Sequence, residues 1–202
     1  MKKKFLEQSS KYMPYVLLAG LALLFVITRF WRITTLPSGV HIDEAGMAYD
    51  AWCLSQYGVD RYFKSYPLLL TNFGGGGQSA LCIYTTALLF RLFGFHSFLF
   101  RVTNIFYSLL TVVFGMLILR KLYPDRPYLA IAGGYLMTIL PFFILSARLG
   151  MDCHPILGTS TVFIYCFLCA LQSEKYRYYV LPEGLFYTPI PSLISYCHLF
   201  LF

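Results

Sequence analysis

Two short segments hold the side chains that could do chemistry. One is His41-Ile42-Asp43-Glu44; the other is Ser146-Ala147-Arg148-Leu149-Gly150-Met151-Asp152. Carboxylates can take up a proton or coordinate a cation, and a neighbouring guanidinium can hold a phosphate. Asp43, Glu44 and Asp152 are therefore the candidate catalytic acids. Asp43 and Asp152 are the candidate ligands if a divalent metal takes part. Arg148, with Lys64, Arg61 and Arg101, forms the candidate phosphate-binding set. Each has a plainer reading. Asp43 and Glu44 suit the first turn of a helix, Asp152 suits a helix N-cap, and the cations suit lipid headgroups. His41 and His154 flank the acids, as hydrogen-bond partners more readily than as metal ligands. Gly74, Gly75, Gly76 and Gly77 lack the Lys-Ser/Thr ending of a phosphate loop and read as a flexible connection. Cys166 and Cys169 sit in an apolar run without a second pair, and read as buried thiols.

The elements that must position these residues are apolar helices. Only 12% of the 202 residues are charged and 58% are hydrophobic, with mean hydropathy +0.63. A soluble domain carries about 25% charged residues, so ordinary soluble enzymes and disordered chains are excluded. Windows free of charge cover 12–28, 102–119, 127–147 and 153–173. Each is near the ~20 apolar residues that a spanning helix requires. The expected fold is an all-α, polytopic bundle of four spanning helices. The net charge of +7 comes from residues scattered at the ends of these windows, with no basic stripe, so nucleic acid is not an expected partner.

A fifth charge-free stretch, 65–90, is broken by Pro67, Asn72, the four glycines and Gln78. Its continuous apolar part is too short to cross and is expected to lie along the membrane. The positive ends then sort. Lys2, Lys3, Lys4, Lys11, Arg120, Lys121, Arg126, Lys175 and Arg177 fall inside, which places the N-terminus in the cytoplasm of a multi-pass plasma-membrane protein. The first span has no cleavage site, and Arg29-Phe30-Trp31-Arg32 after it reads as an interfacial anchor. The outer side receives a long loop, 32–101, with short helices expected over 44–57 (apolar side Ala45, Ala48, Ala51, Trp52) and 80–93. Two crossings separate the two acidic segments, so both emerge on one face.

With these residues in place the chain resembles the membrane glycosyltransferases of the C superfamily, family 39 and its relatives. That group includes protein O-mannosyltransferases and aminoarabinose transferases. The likeness rests on an ordered set. It begins with Leu36-Pro37-Ser38-Gly39, His41-Ile42-Asp43-Glu44, Tyr49-Asp50-Ala51-Trp52 and Gly58-Val59-Asp60-Arg61-Tyr62. Tyr66-Pro67, Gly76-Gly77-Gln78-Ser79-Ala80-Leu81, Phe93-Gly94, Arg101 and the segment from Ser146 to Cys153 follow. The resemblance implies sugar transfer, with inversion, from a polyprenyl-phosphate donor to a glycan, lipid or protein acceptor in contact with membrane lipid. It implies Asp43 as the base, Glu44 as a positioning acid and Asp152 as an aid to substrate or metal placement. Arg148 would orient Asp152 or meet phosphate.

The chain divides into a basic N-terminus (1–13), the family-like part (14–180) and a tail (181–202). Pro182, Pro189 and Pro191 interrupt the tail, which is expected to be the end of a truncated or frame-shifted product. Two rival readings stand beside the enzyme: a non-catalytic membrane subunit, and a transporter. A transporter calls for acids in mid-helix, and none of the four windows has one.

Overall fold

The structure is a computed structural model and describes residues 2–151 and 153–173. Asp152, Lys175, Arg177 and the expected atypical tail lie outside the described residues. Among the described residues seven helices run in order: α1 (Lys2–Phe30), α2 (Ile42–Tyr57), α3 (Ala80–Phe93), α4 (Ser97–Leu122), α5 (Pro127–Ile139), α6 (Pro141–Arg148) and α7 (Pro155–Ser173). Between α2 and α3 a small antiparallel hairpin pairs β1 (Leu70–Thr71) with β2 (Gly77–Gln78), so the glycine run forms a hairpin turn.

Among the described residues two helical segments, Tyr12–Phe30 and Phe98–Leu122, are long and apolar enough to cross a membrane. Large apolar side chains stand exposed on the helices, among them Tyr15, Leu23 and Leu136. Such a surface is soluble in lipid and not in water. This is a helical membrane protein with two clear spans among the described residues, or three if the bent pair α5–α6 counts as one.

The expected third span breaks. Pro141 has no N–H to give and disfavours helical geometry at the residue before it. Leu140 accordingly sits at φ −59, ψ 128, and α5 and α6 meet at 60°. The pair counts as one span only if the bend is included. The break frees backbone carbonyls, and Arg29 takes them: its guanidinium donates to the Thr138 carbonyl at 2.5 Å and the Met137 carbonyl at 3.2 Å. Arg29 is fully buried, not the interfacial anchor that its position after an apolar run suggests. The fourth window begins its helix only at Pro155, because the turn after α6 takes up the preceding residues. What remains, Pro155–Leu171, is a shorter apolar helix.

The helix α4 is the hub. It packs most extensively on α7, and also on α5, α6 and α3. At Gly158 the α7 backbone lies against the carbonyl of Tyr107 on α4, with no room for a Cβ. Small residues permit this approach in lipid, where packing and not hydrophobicity joins helices. Gly158→Ala must move backbone, not a side chain. A loss of about 1–3 kcal/mol is expected, read as a lower unfolding temperature in detergent.

The amphipathic pieces of the 32–101 loop fold onto one another. Met47, Ala51 and Leu54 of α2 meet Leu70, Ile83, Ala87 and Phe90, with Phe100 of α4 closing the cluster. The buried face of α2 is therefore 47–51–54, one step round from the expected one, with Ala45 exposed and Trp52 half-buried. At 14 residues α3 is about 21 Å long, short of a hydrocarbon core of about 30 Å.

Candidate functional site

The start of α2 is fixed by a capping box. The His41 ring accepts from the Asp43 N–H at 3.3 Å, and the His41 N–H donates to Glu44 Oε2 at 3.4 Å. A basic aromatic ring in the usual Ser/Thr position works because only a lone pair is needed. That same His41 Nδ1 lies 3.4 Å from Asp43 Oδ2. One nitrogen cannot accept and donate at once. The cap geometry uses it as an acceptor, so the carboxylate contact is not an ion pair.

Glu44 is buried, 2% exposed, and its oxygens are taken. Arg101 Nε donates to Oε1 at 2.9 Å, and the Gly150 N–H donates to the same oxygen at 3.3 Å. Arg101 also donates to the carbonyls of Ile33 at 2.7 Å and Gly39 at 2.8 Å. Arg148 donates to those of Thr28, Trp31 and Leu36, at 2.9, 2.6 and 2.9 Å. Two guanidiniums thus stitch the non-helical connection between α1 and α2 to α4 and α6. Such a segment cannot sit at membrane depth unless its carbonyls find donors.

The structure therefore joins the two acidic segments through Glu44 and Gly150, which lie 106 positions apart. A Cβ at Gly150 would collide with the Phe100 ring and stand 2.8 Å from Glu44 Oε1, so only glycine allows this approach. Asn104 supports the turn from the other side, its amide donating to the carbonyls of Leu149 at 2.5 Å and Met151 at 3.2 Å. Asn104 was open to discovery as a polar residue inside an apolar window, a mark of function in membranes.

Asp43 differs from its neighbour. Its side chain is 30% exposed, and its carboxylate has no hydrogen-bond donor among the described residues. The first turn of α2 favours a negative charge there. A cleft of about 400 Å³ runs along α2, lined by Val40, Glu44, Ala48, Tyr49, Trp52 and Arg101, and Asp43 is not among its lining residues.

Of the remaining expected residues, Arg61 does not join this centre. It forms a two-pronged pair with Asp50, Nε to Oδ1 at 3.0 Å and Oδ2 at 2.9 Å, beneath the Phe73 ring. Burial works against its charge, but hydrogen bonding and attraction from Asp50 outweigh this and lift its pKa above the ordinary arginine value. Asp60 accepts the N–H groups of Tyr62 and Lys64, turning the chain, and leaves the exposed Lys64 ammonium without an acidic partner among the described residues. Asp50→Asn is expected to cost about 1.5–3 kcal/mol, the range for a hydrogen bond to a charged group. The loss should appear as faster proteolysis between residues 58 and 78.

Among the described residues no three His, Cys, Asp or Glu side chains converge. Asp43 and His41 are two donors without a third among them, and Asp152 lies outside the described residues. Compared with known protein families, with curated proteins and with solved structures, the chain matches none.

Proposed function

We propose that this chain carries the acidic centre of a plasma-membrane glycosyltransferase that moves a sugar from a polyprenyl-phosphate donor to a glycan, lipid or protein acceptor. The reading rests on the resemblance in sequence. Within the fold one observation supports it best: Asp43 is the unpaired carboxylate at a helix start whose other charged groups are locked. In this scheme Asp43 takes the proton of the acceptor hydroxyl. The hydroxyl oxygen bonds to the sugar from the face opposite the phosphate. The bond from sugar to phosphate oxygen breaks, and polyprenyl phosphate leaves. A carboxylate is a weak base, so it acts late, as the hydroxyl acidifies. Lys64, exposed and without an acidic partner among the described residues, meets the departing phosphate in this scheme. Glu44, Arg101 and Arg148 are positioning residues in this scheme, and Asp152 is the second acid. The N-terminus is cytoplasmic, α5–α6 and α7 complete the crossings, and both acidic segments face outward.

The test is sugar transfer by proteoliposomes of the full chain, given a polyprenyl-phosphate sugar and a short-chain acceptor. Transfer that disappears in Asp43→Asn with insertion unchanged supports the proposal. Transfer unaffected by that change overturns it. A second reading, a non-catalytic membrane subunit, draws on the saturation of Glu44, Arg61, Arg101 and Arg148 within the fold. It predicts no transfer by the wild type.

A further inference from the structure

A long apolar cavity lies away from the acidic centre. The helices α1 and α4 each pack on α5 and scarcely on each other. The valley left between them has a volume of about 980 Å³. Leu18 and Phe25 of α1, Ile105 and Val113 of α4 and Ala130 of α5 make its walls apolar. It follows α4 from Val102 to Arg120, a rise of about 27 Å. That is close to a full hydrocarbon thickness.

One end of this valley is different. Arg120 lines it there, beside Tyr15 and Tyr128. Arg120 is exposed and forms no ion pair among the described residues. Tyrosine and arginine together mark headgroup depth at a membrane boundary. The neighbouring cation Lys121 points elsewhere, towards Cys169 and the Tyr165 ring on α7. Arg126 and Asp125 share the turn that follows and form no ion pair with Arg120.

We propose that this groove is a binding site for an anionic phospholipid, its acyl chain lying between α1 and α4 and its phosphate on Arg120. The exposed Arg120 at headgroup depth separates this occupant from an apolar protein helix, which would bring it no anion. Charge separates it from a zwitterionic lipid, whose ammonium Arg120 repels. The site is at the opposite end of α4 from Arg101 and does not depend on the transfer reading.

The experiment titrates the detergent-purified full chain with phosphatidylglycerol and with phosphatidylcholine of matched acyl chains, counting bound lipid by native mass spectrometry. Phosphatidylglycerol is expected to bind about fivefold more tightly, the share of one basic residue at a membrane surface. Arg120→Gln is expected to erase that preference. Val113→Trp, at a partly exposed wall position, is expected to weaken both lipids by filling the valley. Equal binding of the two lipids overturns the proposal, as does a preference that survives both substitutions. Competition by water-soluble glycerol phosphate also overturns it, since binding would then belong to the phosphate alone.

Discussion

Arg101→Met is expected to destabilise the protein by about 3–5 kcal/mol, the cost of removing one partner of a buried ion pair. The arginine is 4% exposed and Glu44 2%. Its loss strands a carboxylate away from water and releases the Ile33 and Gly39 carbonyls together. An exposed pair would lose under about 1 kcal/mol, so the size of the drop measures burial directly. Arg101→Lys should recover little. One ammonium cannot reproduce a planar fork that serves a carboxylate and two carbonyls. The double change Glu44→Gln with Arg101→Met should be milder than the sum of the single changes, because the stranded charge is gone. Thermal unfolding in a mild detergent reads the wild type, the three single variants and the double variant. A loss of less than 1 kcal/mol for Arg101→Met would mean that water reaches Glu44.

The parts of the fold that follow from local rules were legible in the sequence. The helices expected over 44–57 and 80–93 form over 42–57 and 80–93, and follow from apolar spacing with acids at the first one's start. The first two long helices follow from uninterrupted apolar windows. What was hidden depends on partners distant in sequence. Pro141 sits in the third window in plain view, yet a proline can be carried in a helix, as Pro14 is in α1. Whether it breaks the helix depends on a donor for the freed carbonyls. That donor is Arg29, 109 positions away from Thr138. The same limit applies at the centre. Asp43 and Glu44 are adjacent acids in the sequence, and nothing local says which will be buried. Arg101, 57 positions further on, decides it.

This division between neighbours has a kinetic consequence. If the transfer proposal holds, Asp43→Asn and Glu44→Gln fail in different ways. Asparagine keeps the shape of Asp43 and removes its ability to take a proton. A general base contributes about 10²–10⁴ to rate, so kcat should fall by that factor. KM and thermal stability should stay near wild type, because the half-exposed Asp43 carboxylate touches only the exposed His41 ring among the charged groups described. Glutamine at Glu44 keeps one acceptor for Gly150 but weakens the bond to Arg101. Its effect should be structural first: a lower unfolding temperature, with kcat and KM shifting together as the start of α2 loosens. Parallel melting curves and initial rates for the two variants distinguish the roles. If Glu44→Gln removed transfer at full stability while Asp43→Asn retained it, the base would be the buried acid, and the exposed one a cap.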